Sequence, residues 1–80
     1  MKLPRDVNGL DIAKRLGKIG YSITRQTGSH IRLTTNKGGE HHITIPAHKT
    51  LKIGTLNGIL HDISDHLKIT KDELINILWE

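Results

Sequence analysis

Two histidines, His30 and His48, are the residues in this sequence that are best able to carry chemistry. Histidine accepts and donates protons near neutral pH. A neutral imidazole can remove the proton of an RNA 2′-hydroxyl, and an imidazolium can protonate the leaving 5′-oxygen. This chemistry needs no cofactor, and it cannot act on DNA, which lacks the 2′-hydroxyl. We predict His30 as the catalytic residue and His48 as a weaker candidate for the second proton transfer.

Cationic and hydroxyl side chains near these histidines are candidates for binding RNA. They are Ser29, Arg32, Lys49, Lys52 and Thr55. A cation such as Arg32 or Lys49 can stabilise the charge that grows on the phosphate during cleavage. The last residues of the set lead into a predicted helix, whose N-terminus offers free N–H groups to an anion. The alternative is that these lysines are ordinary solvated residues.

Six histidines also raise the question of a metal site. His41 and His42 are adjacent, so on a strand they point to opposite faces, and the sequence contains no cysteine. Zinc sites normally need three or four convergent ligands. We therefore expect no metal and no cofactor, and we interpret His41, His61 and His66 as exposed surface residues.

The charge is unevenly distributed along the chain, which has a net charge of +4. Residues 1–52 hold ten Lys or Arg and three Asp or Glu, whereas residues 53–80 hold two Lys and five Asp or Glu. The basic part is the predicted surface for a polyanion. Tyr21 and Trp79 are the only aromatic residues, so we expect RNA to be held by its phosphates and 2′-hydroxyls rather than by base stacking.

Length and composition predict one domain, residues 1–80. The absence of cysteine fits a reducing compartment. No apolar run approaches the roughly 20 residues that cross a bilayer, and the first residues lack the apolar core of a signal peptide. We expect a cytoplasmic protein with no membrane partner and no small-molecule ligand.

Three helices are predicted from apolar residues at helical spacing. The first covers about residues 9–19 and begins after the N-cap residue Asn8. The second covers about residues 54–66, and the third begins at a capping box over residues 70–73.

Between the first two helices, three runs alternate apolar and polar residues, which is typical of half-buried strands. Their apolar positions are Tyr21, Ile23, Ile31, Leu33, Ile43 and Ile45. Turn residues between the runs predict an antiparallel meander and the element order α-β-β-β-α-α. Because helices must cover the isoleucine face, the polar positions lie on the open face. These are His30, Arg32, His42 and Thr44. Histidine and arginine are also ordinary residues on a solvated sheet face.

A three-residue loop over residues 37–39 would set the register of the second and third strands. His30 then lies opposite Pro46, and His42 lies opposite Thr34. The two histidines would be about 13 Å apart along the strand. We therefore expect His42 not to cooperate with His30.

Several motifs follow one another along the chain. They are Leu3-Pro4-Arg5, Gln26-x-Gly28-Ser29-His30, Ile43-Thr44-Ile45-Pro46-x-His48 and Leu51-Lys52-x-Gly54-Thr55-Leu56-x-x-Ile59-Leu60. Each motif is weak alone, but the ordered set covers nearly the whole chain and resembles the HicA (YcfA-like) toxin family. Asn57 departs from the family pattern, in which a basic residue is common there, but the Gly-Ser-His motif is intact.

This resemblance implies an α+β fold like that of the double-stranded RNA-binding domain, with helices on one face of a three-stranded antiparallel sheet. It implies an mRNA interferase, an endoribonuclease that acts as the toxin of a type II toxin–antitoxin system, with His30 as its catalytic histidine. It also implies mRNA as the substrate and a HicB-type antitoxin as the inhibiting partner. Two alternatives remain open: a non-catalytic double-stranded RNA-binding module, and an inactive subunit that only binds its antitoxin.

Overall fold

Helices cover one face of a three-stranded antiparallel sheet, and the other face is open to solvent. The computed structural model of the chain describes residues 6–47 and 50–79. The elements are α1 (Gly9–Leu16), a 3₁₀ helix (Gly17–Ile19), β1 (Ser22–Gln26), β2 (His30–Thr35), β3 (His41–Pro46), α2 (Ile53–Leu67) and α3 (Lys71–Trp79). The strand order in the sheet is β1-β2-β3. The predicted element order and the α+β class are confirmed.

The first predicted helix consists of two consecutive helical segments, α1 and the 3₁₀ helix. Asn8 has an extended backbone, and its Oδ1 accepts a hydrogen bond from the Asp11 N–H at 2.8 Å. This bond satisfies one of the N–H groups that a helix leaves unpaired at its start. The 3₁₀ helix ends at Gly20, whose φ of 99° is a conformation that glycine adopts without steric cost.

The two later helices also lie where the sequence predicts them. Helix α2 extends the predicted range by one residue at each end. Helix α3 follows the predicted capping box, because Thr70 Oγ1 accepts from the Glu73 N–H and Glu73 Oε1 accepts from the Thr70 N–H, each at 3.0 Å. Within the described ranges, no helix combines the length and the apolar character that crossing a bilayer requires.

One hydrophobic core fills the space between the sheet and the helices. Its largest fully buried side chains are Ile12, Leu16, Ile31, Leu33, Ile45, Leu56, Leu60, Ile63, Leu74, Ile75 and Leu78. Full burial of one such side chain contributes roughly 1.5–3 kcal/mol. This burial turns the apolar face of β2 and β3 toward the helices and leaves their polar face in water.

The register of β2 and β3 is the predicted one. His30 lies opposite Pro46, and Thr34 lies opposite His42. Burial alternates along β2, with Ile31 buried between two exposed residues. The pairing fixes which side chains share the open face, because residues directly opposite each other project to the same side.

Strand β1 differs from the predicted alternation. Ile23 was expected in the core but is 46% exposed. Helix α1 contacts β2 and β3, and α2 contacts β3, so the edge strand β1 lies at the margin of the helical layer. The register of β1 against β2 also shifts between Ile23 and Arg25, because Thr24 is an extra residue in a β-bulge. The shift places Arg25 opposite Arg32.

Candidate active site

His30 is the first residue of β2 and is exposed on the open face of the sheet. Hydrogen bonds with Thr27 close the turn that precedes it. The Thr27 N–H donates to the His30 carbonyl oxygen at 2.9 Å, and the His30 N–H donates to Thr27 Oγ1 at 3.1 Å. The backbone of His30 is therefore held in place, while its side chain is accessible.

Ser29 is in contact with the His30 ring. Ser29 Oγ lies 3.0 Å from His30 Nδ1, and no described residue forms a hydrogen bond with Nε2. The Ser29 carbonyl oxygen also accepts from the Ala47 N–H at 3.0 Å, which ties the turn to the residue after β3. The contact with Ser29 orients the imidazole at Nδ1.

The N-terminal end of α1 supports the same end of the sheet from the helix side. A Cβ atom on Gly9 would overlap the Pro46 carbonyl oxygen, so the two backbones are in close contact. Asn8 forms an isolated antiparallel bridge with Thr50. Since Pro46 lies opposite His30, this contact helps to fix the strand that backs the candidate site.

Arg32 lies two residues after His30 and is exposed on the same face. Its cross-strand neighbours are Thr44 on β3 and Arg25 on β1. Arg25 is not among the predicted RNA-binding residues, and simple alternation along the strand would place it on the helix side. The consecutive polar residues Thr24 and Arg25 interrupt the alternation, and this is the one signal that could have indicated the bulge.

The other predicted RNA-binding residues lie at the start of α2. Lys52 is the N-cap residue, and Thr55 is in the first turn; both are exposed. The Lys52 side chain makes no capping hydrogen bond. Among the described residues, no hydrogen bond joins Lys52 or Thr55 to His30. The predicted second histidine, His48, and the cation Lys49 lie outside the described residues.

A second polar cluster lies between β3 and α2, and it corrects our interpretation of two histidines. His41 and His66 are partly buried rather than exposed, whereas His61 is exposed as expected. His41 Nδ1 is 2.7 Å from the Tyr21 hydroxyl, and His41 Nε2 is 3.4 Å from Asp62 Oδ1. The pKa of Tyr21 is raised to about 12, mainly by burial and to a smaller extent by the nearby Asp62 carboxylate. Both are partly buried because His41 projects from the helix-covered side of β3, opposite the buried Thr35, and its ring stacks on the His66 ring of α2.

His42 lies on the open face, on the side of β3 opposite to His41, as predicted. Its Nδ1 is 2.8 Å from Thr34 Oγ1, and its Nε2 is 3.3 Å from Glu40 Oε2. In the part of the chain that the structure describes, no group of three or more His, Cys, Asp or Glu residues is arranged to hold a metal ion.

The order of the elements and the one-sided helical layer define an α+β protein of the double-stranded RNA-binding-domain type. The family model described as HicA toxin of bacterial toxin-antitoxin matches residues 9–64. This match covers more than half of the chain, and the chain belongs to the HicA toxin family. The resemblance seen in the sequence motifs is confirmed. No curated protein and no solved structure matches the chain.

Proposed function

We propose that this toxin is an mRNA interferase, a metal-independent endoribonuclease that uses His30 as its acid–base residue. Membership of the HicA family makes the chain a toxin of a toxin–antitoxin pair, and toxins of this family are generally of the nuclease type. The observation that carries the proposal is the exposed His30 imidazole, which is held at Nδ1 by Ser29 and accessible at Nε2.

The contact between Ser29 and His30 suits both protonation states that the reaction needs. When Nδ1 carries the hydrogen and donates it to Ser29 Oγ, Nε2 has a lone pair that accepts the proton of the 2′-hydroxyl. The 2′-oxygen then bonds to the adjacent phosphorus, and the bond from phosphorus to the 5′-oxygen breaks. The products are a 2′,3′-cyclic phosphate and a 5′-hydroxyl that has taken up a proton. The imidazolium keeps the same bond to Ser29, so the ring orientation is maintained.

Cations around His30 stabilise the phosphate in this proposal. Arg32 lies on the same face, about 7 Å along β2. Lys52 and Thr55 bind further phosphates at the start of α2, and Lys49 is a further phosphate-binding residue. His48 protonates the leaving oxygen.

An antitoxin of the HicB type inhibits the toxin by covering the open face. Membership of a toxin–antitoxin family implies an antitoxin partner. Strand β1 is at the edge of the sheet, and an edge strand can pair with a strand of a partner protein. The toxin and its antitoxin act in the cytoplasm, where the mRNA substrate is found.

Cleavage of a synthetic single-stranded RNA in the presence of EDTA tests this function. We expect the wild type to cut the RNA but not DNA of the same sequence, and we expect His30→Ala to remain folded and inactive. His61→Ala, which changes an exposed histidine on α2, is the matched control and should cut normally. Expression of wild type and His30→Ala in cells should arrest growth only with the wild type. Full activity of folded His30→Ala would remove His30 from the mechanism.

A non-catalytic double-stranded RNA-binding module is the second candidate, because this element order also serves pure binding. It predicts binding of duplex RNA without cleavage. It also predicts that His30→Ala changes neither growth nor RNA integrity, since binding alone needs no imidazole at this position.

A further inference from the structure

The β-bulge in β1 brings a second arginine onto the open face. Ser22 and Ile23 pair with β2 in one register, and Arg25 and Gln26 pair in a register shifted by one residue. Without the shift, Arg25 would lie opposite Ile31, which is fully buried against the helices. With the shift, Arg25 lies directly opposite Arg32, and both are exposed.

Two arginines in direct cross-strand pairing repel each other, which is unfavourable for the sheet. The ion pairs among the described residues involve Arg15, His41 and His42, and none involves Arg25 or Arg32. The repulsion is relieved when one anion accepts hydrogen bonds from both guanidinium groups. Phosphate suits this role, because its oxygens match the planar donor fork of arginine.

The position of the pair relative to His30 indicates which phosphate it takes. Arg32 is two residues from His30 on the same face of β2, which is about 7 Å. This distance is comparable to the spacing of consecutive phosphates along an extended RNA strand. Two residues further along β2, Thr34 lies opposite His42 of β3, whose Nε2 is 3.3 Å from Glu40 Oε2, so a carboxylate lies beyond the arginine pair on the side away from His30.

We propose that Arg25 and Arg32 together bind the phosphate next to the scissile one, so that single-stranded RNA lies along β2 across the open face. This inference rests on the proposed ribonuclease function, and it assigns Arg25 as a substrate-binding residue. Tyr21 is buried and Trp79 packs against the core, so neither stacks on the bases. The arginine pair therefore contacts the RNA phosphate backbone and does not distinguish base sequences.

The binding of a short single-stranded RNA, measured by fluorescence anisotropy at several salt concentrations, tests the pair. All variants carry His30→Ala, so that no RNA is cut. We expect Arg25→Ala to weaken binding about tenfold and to lower the slope of log affinity against log salt by about 1. Arg25→Lys should keep the slope and recover part of the affinity. Lys18→Ala, which removes an exposed cation of the 3₁₀ helix, should change neither.

A single uncharged methylphosphonate in the RNA locates the contact. Placed next to the scissile phosphate, it should weaken binding of the Arg25-containing protein much more than binding of Arg25→Ala. Unchanged affinity and salt slope in folded Arg25→Ala would overturn the inference, even if the wild type cuts RNA. If the wild type does not cut RNA but the Arg25 effects are observed, the phosphate site stands and the ribonuclease proposal fails.

Discussion

The imidazole rings of His41 and His66 stack on each other, with centroids 4.3 Å apart and an interplanar angle of 12°. His66 Nε2 lies 3.0 Å from the carbonyl oxygens of both Lys37 and Gly39. Because both partners are acceptors, this nitrogen carries the hydrogen. The stack joins α2 to β3, and the His66 hydrogen bonds join α2 to the loop between β2 and β3, at the end of β2 that is remote from His30.

Loss of the His66 ring should weaken this connection. His66→Ala removes the stack and the donor for the two loop carbonyl oxygens, so we expect the free energy of unfolding to fall by about 1–3 kcal/mol. His61→Ala, an exposed position on the same helix, should change it by less than about 0.5 kcal/mol. Urea denaturation of the two variants measures the difference. Equal midpoints would contradict a stabilising role of the stack.

The high pKa of Tyr21 predicts a loss of stability at alkaline pH. Burial, aided by the Asp62 carboxylate, raises this pKa from 10.0 to about 12. The unfolded chain then loses the tyrosine proton first, so the contribution is fully present below pH 10 and is lost as pH rises toward 12. Tyr21→Phe should be less sensitive to pH in this window.

Tyr21 is the only tyrosine in the chain, so the ultraviolet absorbance of tyrosinate reports it alone. We expect its titration midpoint near pH 12 in the native protein and near pH 10 in urea. Coincident midpoints in the two conditions would show that Tyr21 is solvated in the native state, contrary to its buried position.

The capping box of α3 predicts the opposite pH dependence. Hydrogen bonds from Thr70 lower the pKa of the Glu73 carboxyl below 4.5. The bond from the Thr70 backbone contributes more than the bond from its side chain. The stability from this carboxylate is present above pH 4.5 and is lost as pH falls through the folded-state pKa. The stability advantage of the wild type over Glu73→Gln should therefore be present at neutral pH and disappear in acid. An advantage that persists in acid would contradict this origin.

Removal of the N-cap hydroxyl tests the other half of the capping box. Thr70→Ala deletes the acceptor for the Glu73 N–H and should lower the free energy of unfolding by about 1 kcal/mol. Thr70→Ser keeps the hydroxyl and is the matched control, with a thermal midpoint close to that of the wild type. Equal midpoints for Thr70→Ala and Thr70→Ser would argue against the cap.

The register of β2 and β3 could be predicted from the sequence because a slip by one residue would expose Ile43 and Ile45, both of which are buried. The position of His30 on the open face follows from the same constraint. The bulge at Thr24 was not predicted, since an edge strand with little helical cover is weakly constrained by burial and the two consecutive polar residues Thr24 and Arg25 are a weak signal on their own. Arg25 was missed for this reason.

The contact between His41 and His66 could not be predicted for a different reason. The two residues are far apart in the sequence, and their meeting depends on how α2 packs against β3. The two His41 nitrogens and His66 Nε2 also have partners that no local pattern identifies, such as the Tyr21 hydroxyl. Sequence patterning gives the faces of the elements, whereas such contacts depend on their relative placement.

The close contact between Gly9 and Pro46 predicts the largest effect of a single methyl group. A Cβ at position 9 would overlap the Pro46 carbonyl oxygen and lie 2.7 Å from its carbonyl carbon. Both are backbone atoms that cannot rotate away, so Gly9→Ala must displace α1 from β3. We expect the free energy of unfolding to fall by at least about 3 kcal/mol.

Gly58 offers the matched control for this substitution, because it lies inside α2 and nothing lies within 4 Å of a Cβ placed there. Gly58→Ala should raise the free energy of unfolding by about 0.5–1 kcal/mol, since alanine loses less backbone entropy in a helix. Urea denaturation of both variants decides the matter. Similar midpoints for Gly9→Ala and the wild type would mean that α1 moves away from Pro46 at little cost. The strand opposite His30 would then not depend on this contact for its position.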